Sequence, residues 1–400
     1  MGRDGGAAAS AEARLSALRC AAAALVTSAL AATACARPAL PEAAAARDVP
    51  TKSGATLRIE TFVAGLEVPW SMAFTSAERL LVTERPGRVR VVLRGILDPK
   101  PIYVVPDVEA KGESGLMGLA LAPDYATSRM VYLAYAYDAP RGTAVRIVRL
   151  HDDGDAFSQR KVLIEGIPAA QYHAGCRLRF GPDGKLYATT GDATDREIAQ
   201  DLKSFGGKTL RLNPDGSVPD DNPFPGSPVF SYGHRNSQGL DWDPRSGLQV
   251  QTEHGPSGFD GPGGGDEVNI VEAGKNYGWP VVHHRASHEG MVSPLLEYTP
   301  AVAPSGASFC RGDLLPHFKG DFFFATLIGE RLIRVRFDPA NPRQVLETEE
   351  LVHGVYGRLR DVVSGPDGAL YVATSNRDGR GRPRPGDDRI LRIVETPGVR

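Results

Sequence analysis

The chain has 400 residues, enough for two or three average domains or for one large all-β unit. Its 46 Lys and Arg balance 48 Asp and Glu, which excludes both a basic field that attracts nucleic acid and the acidic runs typical of disorder. The 45 Gly and 31 Pro stand at turn positions throughout the chain, which favours many short strands over long helices.

The N-terminus has the composition of an export signal. Arg14 and Arg19 precede the apolar run "CAAAALVTSALAATAC", which is too short to span a membrane comfortably. Residues 1–35 are therefore predicted to be a signal peptide, and the mature protein is predicted to be extracytoplasmic. The end of the signal has two interpretations. Either Cys35 of "AATAC" is lipidated, as in a bacterial lipobox, and anchors the chain at the cell membrane, or cleavage near Ala34 or beyond leaves no anchor.

A weak repeat follows an Ala- and Pro-rich stretch, residues 36–51, that is predicted to be a flexible spacer. Each unit pairs two apolar strands around a turn and ends in a polar loop, as in "WSMAFTSAERLLVTERPGRVRVV" and "LRDVVSGPDGALYVATSN". Six units of about 57 residues come close to the period of propeller blades. We therefore predict an all-β, six-bladed β-propeller over residues 52–397, closed by a strand near residues 57–62.

Two candidate catalytic residues flank one predicted hairpin. His173 precedes its first strand in "QYHAGC", and Asp192 follows the second strand in "TGD". A neutral imidazole accepts protons, and a nearby carboxylate fixes its tautomer. The alternative is that His173 caps a turn and Asp192 bonds its own loop.

Other loops carry residues suited to an anion and a hard cation. Arg235 and Asn236 in "SYGHRNSQGL" offer a cation and an amide to an anionic or carbonyl group, unless the arginine is a structural loop residue. Arg358 and Arg360 share one side of a predicted strand, where they either hold a polyanion or form ordinary salt bridges. The carboxylates and accessible carbonyls of "EHGPSGFDGPGGGDEVN" suit Ca²⁺, although the pattern is not an EF-hand.

The segments "GESGLMGLALAPDY", "HAGCRLRFGPDGKLYATTGD", "YGHRNSQGLDWDP" and "TEHGP…GGDEVN…GKNYGWP" occur in this order along the chain. Together they resemble the soluble quinoprotein glucose/sorbosone dehydrogenase family, and in particular its PQQ-dependent aldose sugar dehydrogenases. The resemblance covers nearly all of the chain after residue 55. It implies a six-bladed propeller that holds PQQ and Ca²⁺ and oxidises an aldose at its anomeric carbon to a lactone, with the hydride passed to the quinone.

The resemblance also implies roles for individual residues. His173 matches the catalytic base that takes the hydroxyl proton, and Asp192 matches the carboxylate that supports it. Arg235 and Asn236 match the pair that contacts the quinone oxygens. Glu113 in "GESGL" aligns with a polar residue on the substrate side, which is glutamine in the glucose enzyme.

Two calcium sites are implied in the same way. The carbonyls of Gly255 and Pro256 match ligands of the Ca²⁺ that polarises the quinone. The Glu267 side chain and the Tyr277 carbonyl match a second, structural Ca²⁺.

The resemblance also implies which residues bind the carboxylate groups of PQQ. Arg358 and Arg360 match the family's clamp on them. Ile328 departs from the family, which often has Lys or Arg there, and Arg331 stands three residues further on as a candidate substitute. Loss of one cation from this site is expected to weaken cofactor binding.

Two cysteines also depart from the family pattern near the implied site. Cys176 stands where glycine is usual, and Cys310 stands where tyrosine is usual. Whether the two cysteines form a disulfide does not follow from the sequence.

Two alternative functions use the same scaffold. A non-catalytic propeller would bind a ligand or partner after losing its catalytic residues, but His173 and Arg235 are both present. A Ca²⁺-dependent hydrolase of the lactonase kind would not need Arg358 and Arg360. The sequence therefore favours a PQQ-dependent dehydrogenase with a small aldose substrate, a separate electron acceptor and no nucleic-acid partner.

Overall fold

A computed structural model describes residues 46–396 of the chain. The regular secondary structure of the described residues is almost entirely β-strand, arranged in six antiparallel sheets of four or five strands. The prediction of an all-β, six-bladed propeller is confirmed. None of the described helices is long and apolar enough to cross a membrane. The predicted signal peptide, Cys35 and most of the predicted spacer lie outside the described residues.

The first half of the described chain forms two leading strands and blades 1 to 3. The leading strands are β1 (Arg47–Pro50) and β2 (Thr56–Ala64). Blade 1 contains β3 (Pro69–Phe74), β4 (Arg79–Glu84), β5 (Arg88–Leu93), β6 (Ile96–Leu97) and β7 (Tyr103–Val104). Blade 2 contains β8 (Leu116–Leu121), the helix α1 (Tyr125–Ser128), β9 (Met130–Ala139), β10 (Gly142–Asp152) and β11 (Phe157–Pro168). Blade 3 contains β12 (Leu178–Phe180), β13 (Leu186–Thr189), a 3₁₀ helix (Arg196–Ala199), β14 (Lys208–Leu212) and β15 (Val229–Tyr232).

The second half forms blades 4 to 6. Blade 4 contains β16 (Ser237–Trp242), β17 (Gln249–Glu253), β18 (Asp266–Val271) and β19 (Leu296–Tyr298). Blade 5 contains β20 (Pro304–Phe309), a 3₁₀ helix (Pro316–Phe318), β21 (Phe322–Thr326), β22 (Leu332–Phe337) and β23 (Val345–Leu351). Blade 6 contains β24 (Leu359–Ser364), β25 (Leu370–Thr374) and β26 (Arg389–Glu395).

The first strands of the chain close the ring. β2 pairs with β26, with Leu57 opposite Glu395 and Ile59 opposite Ile393, so an N-terminal strand completes the C-terminal blade as the sequence predicted. β1 then pairs with the free edge of β2. The ordered sheet therefore begins at Arg47 rather than at residue 52, inside the predicted spacer. The composition of this stretch did not indicate the pairing because an edge strand binds through its backbone groups.

Apolar side chains pack between neighbouring blades all the way around the ring. Tyr132 of blade 2 and Leu178 of blade 3, for example, belong to one buried cluster, and Phe323 of blade 5 and Val362 of blade 6 belong to another. The innermost strands β3, β8, β12, β16, β20 and β24 contact one another in sequence and surround a central channel. In an antiparallel blade, the start of the first strand and the end of the second strand lie at the same end. This arrangement brings the candidate site residues to one mouth of the channel.

Candidate active site

One end of the channel opens into a cavity of about 470 Å³. Small-molecule sites commonly have volumes of about 300–1,000 Å³. Seven of the residues predicted from the sequence line this cavity: Glu113, His173, Arg235, Gly255, Pro256, Arg358 and Arg360. A larger cavity of about 630 Å³, at the opposite ends of the innermost strands, contains none of them. The candidate active site is therefore the smaller cavity, where the candidate catalytic groups converge.

His173 and Asp192 lie side by side at this mouth. Nδ1 of His173 is 2.7 Å from Oδ1 of Asp192. The same carboxylate accepts the backbone N–H of Thr194 and the indole N–H of Trp279, each at 2.8 Å. Because the carboxylate acts as an acceptor towards all three groups, the proton of the neutral imidazole lies on Nδ1. Nε2 is then the nitrogen left free to accept a proton.

Close backbone packing holds the pair in position. A Cβ atom on Gly191 would lie 1.9 Å from the carbonyl oxygen of His173, so only glycine fits where the two loops cross. The backbone N–H of Asp192 donates to the carbonyl of Arg235 at 2.8 Å, which ties a third loop to the same point. The ring of Phe259 stacks on His173 with a centroid distance of 5.9 Å. Four segments of the chain thus meet around the His173–Asp192 pair.

Arg235 is buried and its side chain is held by the loop that follows β17. Its Nε donates to Asp260 at 2.7 Å, and its Nη2 donates to Ser257 at 3.0 Å. Its backbone N–H donates to Glu253, and its guanidinium lies 5.5 Å from the ring centroid of Trp279. Arg235 is therefore both a loop arginine paired with a carboxylate and a cation in the cavity wall.

Asn236 is buried next to Arg235 but is not among the residues that line the cavity. Its Oδ1 accepts the backbone N–H of Gly175 at 3.2 Å. Within residues 46–396 its Nδ2 has no hydrogen-bond partner. A buried donor without an acceptor is energetically costly, so this amide is suited to bind an oxygen supplied by a ligand.

Arg358 and Arg360 reach the cavity from blade 6. Nε of Arg358 donates to Asp378 at 2.8 Å, and Nη1 of Arg360 donates to Gln238 at 2.9 Å. Burial lowers the pKa of Arg360 to about 10. Burial acts to raise the pKa of Asp378, but Arg358 and Arg360 outweigh it and hold that pKa below its usual value. Arg358 and Arg360 are thus buried cations in the cavity wall, and the single carboxylate of Asp378 balances only part of their charge.

Glu113 lies beside His173 at the edge of the cavity. Its Oε1 forms an ion pair with Arg380 at 2.6 Å, and its Oε2 accepts the backbone N–H of His173 at 3.3 Å. Burial acts to raise the pKa of Glu113, but His254 and Arg380 lead the neighbours that lower it overall. The side chain therefore presents an ionised acceptor next to the imidazole.

Gly255 and Pro256 lie in a tight turn against Gly264 and Gly265, and the Pro256 carbonyl accepts the backbone N–H of Gly264 at 3.3 Å. A Cβ atom on Gly255 would lie 2.2 Å from the carbonyl oxygen of Gly264 and 2.3 Å from that of Gly265, so the turn requires glycine. The backbone N–H of Gly255 donates to Asp266 at 2.8 Å. Ca²⁺ takes carbonyl and carboxylate oxygens as ligands, and this donor set is suitable for it.

Glu267 and Tyr277 are not part of the main cavity but line a small adjoining one of about 10 Å³. A space of this size is about that of a single water molecule or ion. Burial raises the pKa of Glu267 well above its ordinary value, and the charges of Glu253 and Asp266 raise it further. A cation bound here would relieve this repulsion.

The residues that depart from the family pattern have separate environments. Ile328 lines the cavity and is 64% exposed. Arg331 does not line it and instead forms an ion pair with Glu350 at 2.6 Å, so Arg331 does not replace a cation at position 328. Cys176 and Cys310 are buried free thiols in different inter-blade clusters, and burial raises their pKa values to about 12 and about 11.

Several residues of the site were not predicted from the sequence. Trp279 belongs to the quoted "NYGWP" segment, but no spacing indicated that its indole contacts Asp192. Asp260 also lies in a quoted loop, and one of its oxygens lies within 4.8 Å of ligand atoms of His173 and Asp192. The ion pair between Asp260 and Arg235 could not be predicted either, because the two residues are 25 positions apart in the sequence.

Comparison with known proteins identifies the family. The family model "Glucose / Sorbosone dehydrogenase" matches residues 66–391. The chain is 34% identical to an aldose sugar dehydrogenase of Escherichia coli over 349 residues, which cover 81% of this chain and 92% of that protein.

Two solved structures have the same architecture. A structure described as a glucose dehydrogenase from Thermus thermophilus is 44% identical, with a TM-score of 0.77 over 84% of this chain and 100% of that one. The PQQ-bound aldose sugar dehydrogenase of Streptomyces coelicolor is 36% identical, with a TM-score of 0.76 over 87% of this chain and 100% of that one.

The hydrogen bond from Trp279 to Asp192 is open to a direct test. Replacement Trp279→Phe removes the N–H donor and leaves a buried carboxylate oxygen without this partner, so we expect the free energy of unfolding to fall by about 1–3 kcal/mol. Because phenylalanine also changes the packing, a double-mutant cycle with Asp192→Ala isolates the contact. Chemical denaturation should give a coupling energy of about 1 kcal/mol or more. A coupling energy near zero would show that Trp279 does not hold Asp192.

Proposed function

The chain belongs to the glucose/sorbosone dehydrogenase family, and we propose that it is a PQQ-dependent dehydrogenase that oxidises aldose sugars at the anomeric carbon to lactones. The observation that carries this proposal is the His173–Asp192 pair: His173 lines a cavity rich in arginine, and the buried Asp192 accepts a hydrogen bond from its Nδ1 at 2.7 Å. A proton acceptor beside a site for an anionic oxidant is what such an oxidation requires.

The residues present fit PQQ, a planar o-quinone with carboxylate groups. Five arginines line the cavity: Arg85, Arg235, Arg358, Arg360 and Arg380. Within residues 46–396, three buried polar atoms at or beside it have no hydrogen-bond partner: Asn236 Nδ2, His254 Nε2 and Arg360 Nε. Guanidinium groups bind carboxylates in a bidentate manner. Asn236 lies next to the lining residue Arg235, and its unpartnered Nδ2 is proposed as a donor to a quinone oxygen. Arg358 and Arg360 would hold the carboxylates, while Arg235 and Asn236 would face the quinone.

The protein residues have distinct parts in the reaction. When bound, PQQ supplies the acceptor for the hydride that leaves the anomeric carbon. Nε2 of His173 takes the proton of the anomeric hydroxyl, so the C–H and O–H bonds break and a lactone C=O bond forms. Asp192 stabilises the imidazolium that results, since Nδ1–H already donates to it at 2.7 Å. Arg235 offers positive charge where negative charge develops.

Calcium is the second proposed cofactor. The carbonyls of Gly255 and Pro256 are proposed ligands of the ion that polarises the quinone, since both residues line the cavity. Glu267 and the Tyr277 carbonyl are proposed ligands of a structural ion. The raised pKa of Glu267, caused by burial and by Glu253, supports a cation at that position.

The alternative functions fit these observations less well. A binding propeller with a decayed site would not need the buried His173–Asp192 pair, which is supported by further donors. A lactonase-type hydrolase needs Ca²⁺ and water but has no use for Arg358 and Arg360 in the cavity wall. The arginines therefore favour an anionic cofactor.

Replacement of the proposed base should abolish most of the activity. In protein reconstituted with PQQ and Ca²⁺, we expect His173→Ala to lower sugar-dependent dye reduction by about 10²–10⁴-fold, because proton removal loses its acceptor. His151→Ala is the matched control, since His151 of β10 pairs with Asp153 and lies outside the cavity. Full activity in His173→Ala would exclude His173 as the base.

Calcium removal and Glu267→Gln should have opposite effects on stability. In EDTA we expect Glu267→Gln to melt at a higher temperature than the wild type, because it removes one of several mutually repelling carboxylates. Added Ca²⁺ should stabilise the wild type by about 2.7 kcal/mol at a hundred times its dissociation constant, and the variant by less. The exposed Glu289→Gln is the control. An equal Ca²⁺ effect in all three proteins would argue against a site at Glu267.

We propose an extracytoplasmic enzyme, held at the membrane by a lipid on Cys35 if that residue becomes the mature N-terminus. Mass spectrometry of the mature protein tests this: an acylated N-terminal Cys35 supports the anchor, cleavage at another alanine leaves export without it, and an intact residue 1 contradicts export. The electron acceptor is proposed to be a separate small molecule or protein.

A further inference from the structure

The cavity has more positive charge than its own carboxylates balance. The five lining arginines stand against three lining carboxylates: Glu113, Asp266 and Asp378. The carboxylate of Asp266 is itself engaged by the backbone N–H groups of Gly255, Val302 and Ala303. The excess charge is therefore available to an anionic ligand.

Arg85 is the lining arginine whose charge is balanced least directly. Arg235 pairs with Asp260, Arg358 pairs with Asp378, and Arg380 pairs with Glu113. Nη2 of Arg360 lies 3.9 Å from a carboxylate oxygen of Asp378. Within the described part of the chain, the polar contact of the Arg85 side chain is a hydrogen bond from Nη1 to the carbonyl oxygen of Asp378 at 3.2 Å. That oxygen is neutral, so it orients the guanidinium without neutralising it.

The backbone of Arg85 is fixed between blades 1 and 2. Its N–H donates to the carbonyl of Val68 at 3.1 Å, and its carbonyl accepts the N–H of Leu116 at 2.9 Å. A Cβ atom on Gly115 would lie 2.3 Å from this carbonyl oxygen and 2.8 Å from Cγ of Arg85, so the close approach requires glycine. The side chain therefore enters the cavity from a rigid position.

The partial burial of Arg85 gives a physical reason for a ligand there. Desolvation lowers the pKa of Arg85, and Asp378 and Glu113 only partly offset this effect. A partly buried guanidinium without a direct carboxylate partner is unfavourable unless another anion compensates it. Ile328 contributes no charge to the same cavity, and Arg331 lies outside it.

We propose that Arg85 is a further cofactor-binding residue and that it pairs with a carboxylate group of PQQ from blade 1, across the channel from Arg235. The inference rests on the proposed function, because it takes PQQ to be the anion that enters this cavity. It adds a residue outside the Arg358–Arg360 pair that the sequence indicated.

The test is a PQQ titration of the full chain without bound cofactor, in excess Ca²⁺, followed by quenching of tryptophan fluorescence. We expect Arg85→Gln to raise the dissociation constant for PQQ by about 10–100-fold, as for the loss of a hydrogen-bonded ion pair. Arg85→Lys keeps the charge without the planar fork and should lie between the wild type and Arg85→Gln. Arg331→Gln is the matched control and should bind PQQ like the wild type.

The outcomes separate the inference from the proposed function. If the wild type binds PQQ and both Arg85 variants bind it within about twofold of wild type, the inference is wrong while the proposed function stands. If the variants bind PQQ normally but show a raised KM for the sugar, Arg85 acts on the substrate and the inference is also wrong. If the wild type does not bind PQQ, the proposed function fails, and the inference fails with it. Melting curves confirm that each variant is folded, and Arg85→Lys decides the matter if Arg85→Gln does not fold.

Discussion

Antiparallel pairing of β2 with β26 is the interaction on which the rest of the structure depends. It joins an N-terminal strand to the last strand of the chain and so closes the ring of six blades. Closure fixes the angle between neighbouring blades, because apolar clusters fill the space between them, as between blades 5 and 6 and between blades 6 and 1. The channel mouth then brings together loops from blades that are far apart in sequence. Without closure these loops would not form a common cavity.

The electrostatics of the mouth follow from this convergence. Loops from several blades meet at this mouth, so cations from blades 1, 4 and 6 line the same cavity. Partial pairing with carboxylates keeps the cations stable, as Asp378 does for Arg358 at 2.8 Å. The excess positive charge makes the cavity selective for an anionic ligand, and the His173–Asp192 pair gives that ligand a basic partner.

The sequence predicted the parts of the site that depend on local geometry. His173 and Asp192 flank one hairpin, so strand alternation alone brings them to the same end, and they form a hydrogen bond across 19 residues. Trp279 donates a hydrogen bond to Asp192, 87 residues away in the sequence. This contact forms only when blade 4 packs against blade 3, so the sequence spacing did not reveal it. Arg331 is a residue for which the sequence suggested too much. Its spacing from Ile328 suggested a role in the cavity, but its side chain pairs with Glu350 on β23. The positions of the Trp279 and Arg331 side chains are therefore set by tertiary packing, which the sequence pattern does not show.

The most direct test of the central claim is a crystal structure of the protein with PQQ and Ca²⁺. We expect the cofactor in the cavity of about 470 Å³, with its quinone near Arg235 and His173 and a calcium ion at the carbonyls of Gly255 and Pro256. Binding in the cavity of about 630 Å³ at the other end of the channel, where Arg177 also offers a cation, would contradict the account. A crystal at saturating PQQ with no cofactor in either cavity would contradict it as well.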